Sequence, residues 1–212
     1  DLNKNSKIFS SEVIYYKDKE IFVSERNSRF VNDELSIDSD TMKYNKILNS
    51  LNAEGNVRID DKIKDYKLFT EEINYLRNTE HILTKGKTEA VIGSKYNFYS
   101  TDVELMRSEN ALSSKEKTKI KDKNSKLYEI DEFEYNIQSE ILKAKNLFIV
   151  SNSSVPLGKS DNLKFADGIF DLKNDSFLAG QTEINIKKDS FDNEENDPRL
   201  KGISSNSKNK IT

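Results

Sequence analysis

The chain of 212 residues is 34% apolar and 33% charged, with no tryptophan and no cysteine. So few apolar residues cannot fill a thick globular core, and they predict a shallow or elongated architecture. The 34 basic and 37 acidic side chains nearly balance, which argues against broad nucleic-acid binding, and the missing cysteines exclude disulfides and thiol catalysis.

A twelve-residue frame recurs six times along the chain. Its central residue, position zero, is Tyr15, Tyr44, Tyr75, Leu105, Tyr135 and Phe170. Position −2 is apolar in five copies, as Val13, Met42, Ile73, Val103 and Phe133, and is Gly168 in the sixth. Position +7 is apolar in all six, as Phe22, Leu51, Ile82, Leu112, Leu142 and Phe177. Position +9 is small in all six, as Ser24, Ala53, Thr84, Ser114, Ala144 and Ala179.

The spacing of this frame is typical of a β-hairpin. Positions −2 and zero lie on one face of a strand, as do +7 and +9 on the next strand, with turn-forming polar residues between them. A turn in the middle of the frame places the residue at position zero opposite the residue at +7, and the residue at −2 opposite the residue at +9. A helix cannot bring both pairs to one face. The sequence therefore predicts an all-β fold of antiparallel hairpin repeats.

Two segments depart from the repeat. Residues 151–162 lengthen the last interval and are predicted to form a loop, and the polar sequence after Lys187 lacks sustained alternation. We therefore expect a flexible N-terminus at 1–11, one β domain at 12–190, and a polar loop or disordered tail at 191–212.

Side chains for catalysis or metal binding are scarce. His81 is the only histidine, which excludes histidine-cluster zinc sites, and it is interpreted as a surface residue in a turn. The stretch PLGKS lacks the first glycine of a phosphate-binding loop. The acidic run from Asp189 to Asp197 lacks the glycine of an EF-hand loop, and its Ca²⁺ binding stays open. The sequence predicts no enzyme, no cofactor and no metal site.

One copy of the frame continues into the strand AEGNV and is similar to the OstA-type repeat of lipopolysaccharide-transport proteins. The matching residues are Asp40, Met42, Tyr44, Ala53, Gly55, Asn56 and Val57. Weaker copies occur at Glu71, Ile73, Tyr75, Thr84 and Gly86, and at Asp131, Phe133, Tyr135 and Ala144. The tail NDPRLKGISS, residues 196–205, further resembles a periplasmic stretch of the LptD family of outer-membrane lipopolysaccharide-assembly proteins.

The resemblance implies a V-shaped, open-sided jelly-roll of two antiparallel sheets. Its apolar trough would carry the acyl chains of lipopolysaccharide across the periplasm to the outer membrane, without enzymatic activity. The implied groove-lining residues are Val13, Tyr15, Phe22, Met42, Tyr44, Leu51, Ile73, Tyr75, Ile82, Val103, Leu105, Leu112, Phe133, Tyr135, Leu142, Phe170 and Phe177.

The resemblance also implies partners and a location. These are lipopolysaccharide, a second OstA-like module of the LptA type docked at an edge strand, and the periplasm in association with the outer membrane. The chain contains no transmembrane-barrel sequence, so an LptD-type fragment and a free-standing bridge of the LptA type are both left open. From the residues alone, the alternative is a structural or adhesive β-solenoid with a sealed core.

Overall fold

The structure, a computed structural model, describes residues 6–187 and 199–207. In these ranges the chain forms strands connected by turns, loops and three short 3₁₀ turns. No helix in these ranges is long and apolar enough to span a membrane. The strands are β1 Lys7–Phe9, β2 Val13–Tyr16, β3 Ile21–Ser24, β4 Ser28–Val31, β5 Leu35–Ser39, β6 Thr41–Asn45, β7 Ser50–Asp61, β8 Tyr66–Leu76, β9 His81–Lys85, β10 Lys87–Ile92, β11 Tyr96–Thr101, β12 Glu104–Met106, β13 Ala111–Ser114, β14 Thr118–Asp122, β15 Leu127–Ile130, β16 Glu132–Asn136, β17 Ile141–Val150, β18 Asn162–Asp171, β19 Ser176–Asn185 and β20 Arg199–Ser207.

The hairpins have the register that the frame predicts. Tyr44 lies opposite Leu51 and Met42 lies opposite Ala53 in the β6–β7 pair. The same zero-to-+7 and −2-to-+9 pairing occurs in the β2–β3, β8–β9, β16–β17 and β18–β19 hairpins, all antiparallel. The prediction of an all-β fold of antiparallel hairpin repeats is confirmed.

The chain divides into two compact units, whereas the sequence predicts one β domain over 12–190. Unit 1 comprises residues 1–93 and 99–112, and unit 2 comprises residues 94–98 and 113–212. The boundary falls in the short turn before β11 and inside strands β11 and β13, and it carries no linker composition, which is why the sequence gives no sign of it.

Unit 1 consists of two layers of strands. Its frame layer contains, in pairing order, β2, β3, β6, residues 50–54 of β7, residues 72–76 of β8, β9 and β12. Its return layer contains β1, β4, β5, residues 57–61 of β7, residues 66–70 of β8, and β10. Phe30 of the return layer packs edge-on against Tyr75 of the frame layer, with 6.5 Å between ring centroids, so the apolar faces of the layers meet.

Strand β7 passes from one layer to the other through a two-residue bulge. Gly55 (φ 77°) and Asn56 (φ 50°) lie where the register shifts, between Glu54 and Val57. The Gly55 carbonyl accepts a hydrogen bond from the Asp40 N–H, and the Asn56 amide donates to the Asp40 carboxylate. A Cβ on Gly55 would overlap that carboxylate. Because the strands bend at this bulge, the frame and return layers are connected along one edge of the unit. The turns that join neighbouring strands within each layer lie at the opposite edge, which we call the turn edge.

Unit 2 has the same organisation. Its frame layer contains β16, residues 141–145 of β17, 167–171 of β18, 176–180 of β19 and 204–207 of β20. Its return layer contains residues 96–98 of β11, β14, β15, 147–150 of β17, 162–165 of β18, 182–185 of β19 and 199–202 of β20. Asn146 (φ 49°) and Gln181 (φ 45°) mark the bends. The rings of Phe98 and Tyr135 meet across the layers, 5.0 Å apart.

Two strands lie where the sequence predicts irregular chain. β1 falls within the segment 1–11 and pairs with β4, and β20 falls within the segment 191–212 and pairs along β19. An exposed edge strand needs no apolar alternation, so the polar composition of β20 hides it. The remaining parts of these segments, residues 1–5, 191–198 and 208–212, lie outside the described residues, as does the acidic run considered for Ca²⁺.

Candidate functional site

The central and +7 residues of the frame form one row across each frame layer. In unit 1 the row is Tyr15, Phe22, Tyr44, Leu51, Tyr75, Ile82 and Leu105, each residue opposite the next. In unit 2 it is Tyr135, Leu142, Phe170 and Phe177. The repeat thus places a large apolar side chain at the same level on successive strands, which makes a continuous apolar surface on the interior face of each unit.

Most of the predicted lining residues are buried. The buried ones are Met42, Tyr44, Leu51, Ile73, Tyr75, Ile82, Val103, Leu105, Leu112, Phe133, Tyr135, Leu142 and Phe170. Val13 and Tyr15 are 47% and 43% exposed, and Phe22 and Phe177 are half-buried. Among the predicted lining residues, all of which lie in the described part of the chain, those that are not buried lie at the β2–β3 hairpin of unit 1 and at β19 of unit 2.

An apolar cleft of about 200 Å³, the N-terminal cleft, lies between the layers at the β2–β3 hairpin. Its lining residues are Ile8 of the return layer and Val13, Phe22, Ser24, Met42 and Tyr44 of the frame layer. Tyr15 stacks on Phe22 with ring centroids 4.4 Å apart and extends the aromatic surface towards solvent.

A second cleft of about 190 Å³, the C-terminal cleft, lies between the layers of unit 2. Its apolar lining consists of Tyr128, Ile149, Leu163, Phe165, Phe170, Leu172 and Phe177, and its polar lining consists of Lys126, Asp171, Asp175, Ser176 and Ser207. The ring of Phe165 in the return layer lies 5.1 Å from those of both Phe170 and Phe177 in the frame layer.

Both clefts are small for an apolar ligand. Small-molecule sites typically enclose roughly 300–1,000 Å³, so a cleft of about 200 Å³ holds only a short part of an alkyl chain. A larger ligand requires the two layers to part, and the contacts that join their turns decide where they can do so.

A buried guanidinium joins the turns of the two layers in unit 1. The Arg107 cluster consists of Arg107, Glu34, Asp61, Tyr66, Tyr75 and Glu80. Arg107 is 1% exposed and follows β12 in the frame layer. Its Nη2 and Nε donate to one Asp61 carboxylate oxygen at 2.8 and 3.1 Å, and Asp61, also 1% exposed, ends the return-layer part of β7. The other Asp61 oxygen accepts the backbone N–H groups of Ile63 and Lys64 in the β7–β8 turn.

The rest of the guanidinium is satisfied from both layers. Its Nη2 also donates to Glu34 of the return layer at 3.0 Å, and its Nη1 donates to Glu80 of the frame layer at 3.3 Å. The Tyr66 hydroxyl accepts from Nε at 3.1 Å. Burial raises the pKa of Tyr66 and of Tyr75, so both phenols are neutral at physiological pH. A buried charge with this many partners fixes the turn edge of unit 1.

In unit 2 lysine pairs join the turns instead. Lys126 Nζ lies 3.2 Å from Asp175 Oδ1, and Lys95 pairs with Glu140. Both lysines lie in return-layer turns and both acids lie in frame-layer turns. The side chains of Lys95 and Asp175 are 48% and 54% exposed, and those of their partners Glu140 and Lys126 are 14% and 27% exposed. We call these two pairs the lysine clasps.

Two tyrosines of unit 2 lie close to the Lys95–Glu140 clasp. The Tyr96 hydroxyl is 3.5 Å from Glu140 Oε2, and burial raises the pKa of Tyr96 to about 12. The Tyr135 hydroxyl is fully buried and has no hydrogen-bond partner among the described residues, and burial raises its pKa as well. An unpaired buried hydroxyl destabilises its surroundings, so the interior of unit 2 is less completely satisfied than the Arg107 cluster.

The described residues include no group of histidine and carboxylate side chains that could hold a metal ion. His81 begins β9 rather than lying in a turn, and its Nε2 is 2.6 Å from Glu104 Oε1 on β12. This pair joins the neighbouring strands β9 and β12.

Sequence reasoning missed a second apolar row, in the return layer. Position −7 of the frame is apolar in all six copies, as Ile8, Ile37, Leu68, Phe98, Tyr128 and Leu163. Ile37, Leu68, Phe98 and Tyr128 are buried, and Ile8 and Leu163 line the two clefts. These six apolar residues recur with the same period of about thirty residues as the frame, so the sequence alone was sufficient to find the row.

Position +5 was missed too. The residues at position +5 are Glu20, Asn49, Glu80, Asn110, Glu140 and Asp175. The backbone of all six is in the left-handed region, with φ between 50° and 57°. Asn and Asp tolerate this conformation and are a turn signal, whereas Glu is not. Glu80 pairs with Arg107 within the frame layer and Glu140 pairs with Lys95 across the layers, and no local turn rule predicts either ion pair.

No family model and no curated protein matches the chain. Among solved structures, the chain is similar to the crystal structure of LptH, the LptA homologous periplasmic component of the conserved lipopolysaccharide transport device from Pseudomonas aeruginosa. The alignment covers 66% of this chain and 81% of that chain, at 9% sequence identity and a TM-score of 0.29. The all-β class of the present chain is established by its own strand pairing.

Proposed function

We propose that the chain is a non-enzymatic lipid-conduit module that carries lipopolysaccharide across the periplasm to the outer membrane. The acyl chains lie between the frame and return layers, and the sugars stay in water. The observation that supports this best is that unfilled interior space lies between apolar rows at the two places where the frame surface is open, the N-terminal and C-terminal clefts.

The energetics of such a site suit transport. Each methylene that moves from water to an apolar surface gains about 0.8 kcal/mol, so several acyl chains together bind without any strong single contact. The half-exposed Tyr15 and Phe22 surface gives only part of that gain. Partial burial keeps the lipid releasable, as a conduit requires.

The edge strands support docking to a second OstA-like module of the LptA type. Among the described strands, β2 pairs only with β3, and β20 pairs only with β19. Each therefore has a row of backbone groups that can pair with a strand of another chain. Location in the periplasm, in association with the outer membrane, follows from this function, and the LptD-type resemblance of residues 196–205 is consistent with it.

Photo-crosslinking in lipopolysaccharide-producing cells tests the proposal. A photoreactive residue replaces Phe22 in the N-terminal cleft or Phe177 in the C-terminal cleft, and matched controls replace the exposed Lys17 and Lys123 of the same units. We expect lipopolysaccharide adducts at both phenylalanine positions and none at the lysines. Folded variants without adducts at any position would contradict the proposal.

A sealed structural or adhesive module is the second candidate. It is favoured by the burial of thirteen of the predicted lining residues. The antiparallel hairpins described here do not form the parallel coils of a β-solenoid, so this candidate concerns a closed sandwich. It predicts that crosslinking at Phe22 and Phe177 yields no lipid adduct.

A further inference from the structure

A full-length acyl chain can enter between the layers only where the turn edge opens, because the two open clefts hold only a short part of one. The clefts hold about 200 and 190 Å³, and a multi-chain lipid needs more. Opening at the bends would break the backbone pairing that passes from layer to layer through β7 or β17. At the turn edge the layers are joined by side chains, which can separate while both layers keep their backbone pairing.

Opening the turn edge of unit 1 exposes buried charge. Arg107 and Asp61 are each 1% exposed, and separating the layers would leave both without their main partner. Arg77, in a frame-layer turn, also lies 5.4 Å from the ring centroid of Phe30 in the return layer and donates to the hydroxyl of Ser6 before β1. Two arginines therefore hold this edge closed.

Opening the turn edge of unit 2 separates charges that water already reaches. Each pair has one ion that is about half exposed, Lys95 in one pair and Asp175 in the other, and the separation leaves no ion as deeply buried as Arg107 or Asp61. Lys126 and Asp175 both line the C-terminal cleft, so the pair spans the rim of the space where an alkyl chain would lie.

We infer that unit 2 is the lateral gate of the conduit: its layers part at the lysine clasps to admit acyl chains sideways, while the Arg107 cluster keeps the turn edge of unit 1 closed and leaves only the N-terminal cleft of that unit open to lipid. The inference deepens the proposed function and rests on it for the identity of the ligand. The opening itself is a property of the empty protein and can be measured without lipid.

Thiol labelling compares the two interiors directly, since the chain has no cysteine of its own. Leu51→Cys in unit 1 and Leu142→Cys in unit 2 are a matched pair, because both residues are +7 leucines and 0% exposed. N-ethylmaleimide should modify Leu142→Cys at least about tenfold faster than Leu51→Cys under native conditions. Adding Lys126→Met should accelerate labelling of Leu142→Cys by about two- to fivefold and leave that of Leu51→Cys unchanged.

Equal labelling rates, or no response to Lys126→Met, would overturn the inference. If Leu51→Cys or Leu142→Cys does not fold, Ala53→Cys in unit 1 and Ala144→Cys in unit 2 replace them, because these are the buried +9 alanines of the same two hairpins. Ala144→Cys should be labelled faster than Ala53→Cys, and equal or slower labelling would count against the gate. Absence of lipid crosslinks alongside fast Leu142→Cys labelling would reject the ligand and keep the gate.

Discussion

The turn edges of the two units perform one task with different chemistry. In unit 1 the Arg107 cluster removes a guanidinium and the Asp61 carboxylate from water, and phenols and further carboxylates surround them. In unit 2 Lys126 and Asp175 pair at a similar distance, 3.2 Å, in contact with solvent. The distance between the charges does not distinguish the two edges. The two edges differ in the state of their charges after the layers separate: unit 1 is left with unpaired buried ions, and unit 2 with hydrated ions.

The largest effect is expected from removing the buried cation. Arg107→Met should lower the free energy of unfolding by about 3–5 kcal/mol, because Asp61 is left as an unpaired buried charge. Urea titration followed by tyrosine fluorescence measures the loss. Lys126→Met, the matched change in unit 2, should cost no more than about 1 kcal/mol.

A second substitution tests the cause of that loss. Asp61→Asn removes the charge and keeps an oxygen for the N–H groups of Ile63 and Lys64. In the Arg107→Met background it should therefore recover part of the lost stability. An additive further loss would show that packing around Arg107, and not the stranded charge, accounts for the effect.

A smaller effect on the free energy of unfolding is expected from removing the hydroxyl groups of two buried tyrosines, Tyr66 and Tyr135. The Tyr66 hydroxyl accepts a hydrogen bond from Arg107 Nε at 3.1 Å, so Tyr66→Phe should cost about 1.5–3 kcal/mol. The Tyr135 hydroxyl has no partner among the described residues, so Tyr135→Phe should be neutral or stabilising by up to about 1 kcal/mol. Both values come from urea titration. A loss on Tyr135→Phe equal to that on Tyr66→Phe would mean that the Tyr135 hydroxyl is bonded in solution.

The frame was predictable because its information is local. Strand alternation and one polar turn fix which residues face each other, so Tyr44 was placed opposite Leu51 and Met42 opposite Ala53 from spacing alone. The same reasoning applied to position −7 would have found the row through Ile37 and Leu68. Position −7 lies N-terminal to the twelve residues of the frame, so this row is found only when the repeat is extended in that direction.

The contacts at the turn edges were not predictable in this way. Arg107 is one of 34 basic residues, and nothing in its neighbourhood in the sequence marks it for burial. Its partners Glu34, Asp61 and Glu80 are far apart in the sequence, and the bending of the strands between layers brings the two return-layer partners, Glu34 and Asp61, to Arg107. The sequence defines the two apolar faces, whereas the contacts between their edges depend on the tertiary fold.

The smallest effect concerns the Lys126–Asp175 clasp alone. A double-mutant cycle with Lys126→Met and Asp175→Asn should give a coupling of about 0.2–1 kcal/mol in low salt. At 1 M salt the Debye length is about 3 Å, so the coupling of this partly exposed pair should fall towards zero. A cycle with Arg107→Met and Asp61→Asn should keep its larger coupling at the same salt, because ions do not reach the buried pair. If salt lowered the coupling energies of the Lys126–Asp175 and Arg107–Asp61 pairs equally, the burial of the charges would not be what distinguishes the turn edge of unit 2 from that of unit 1.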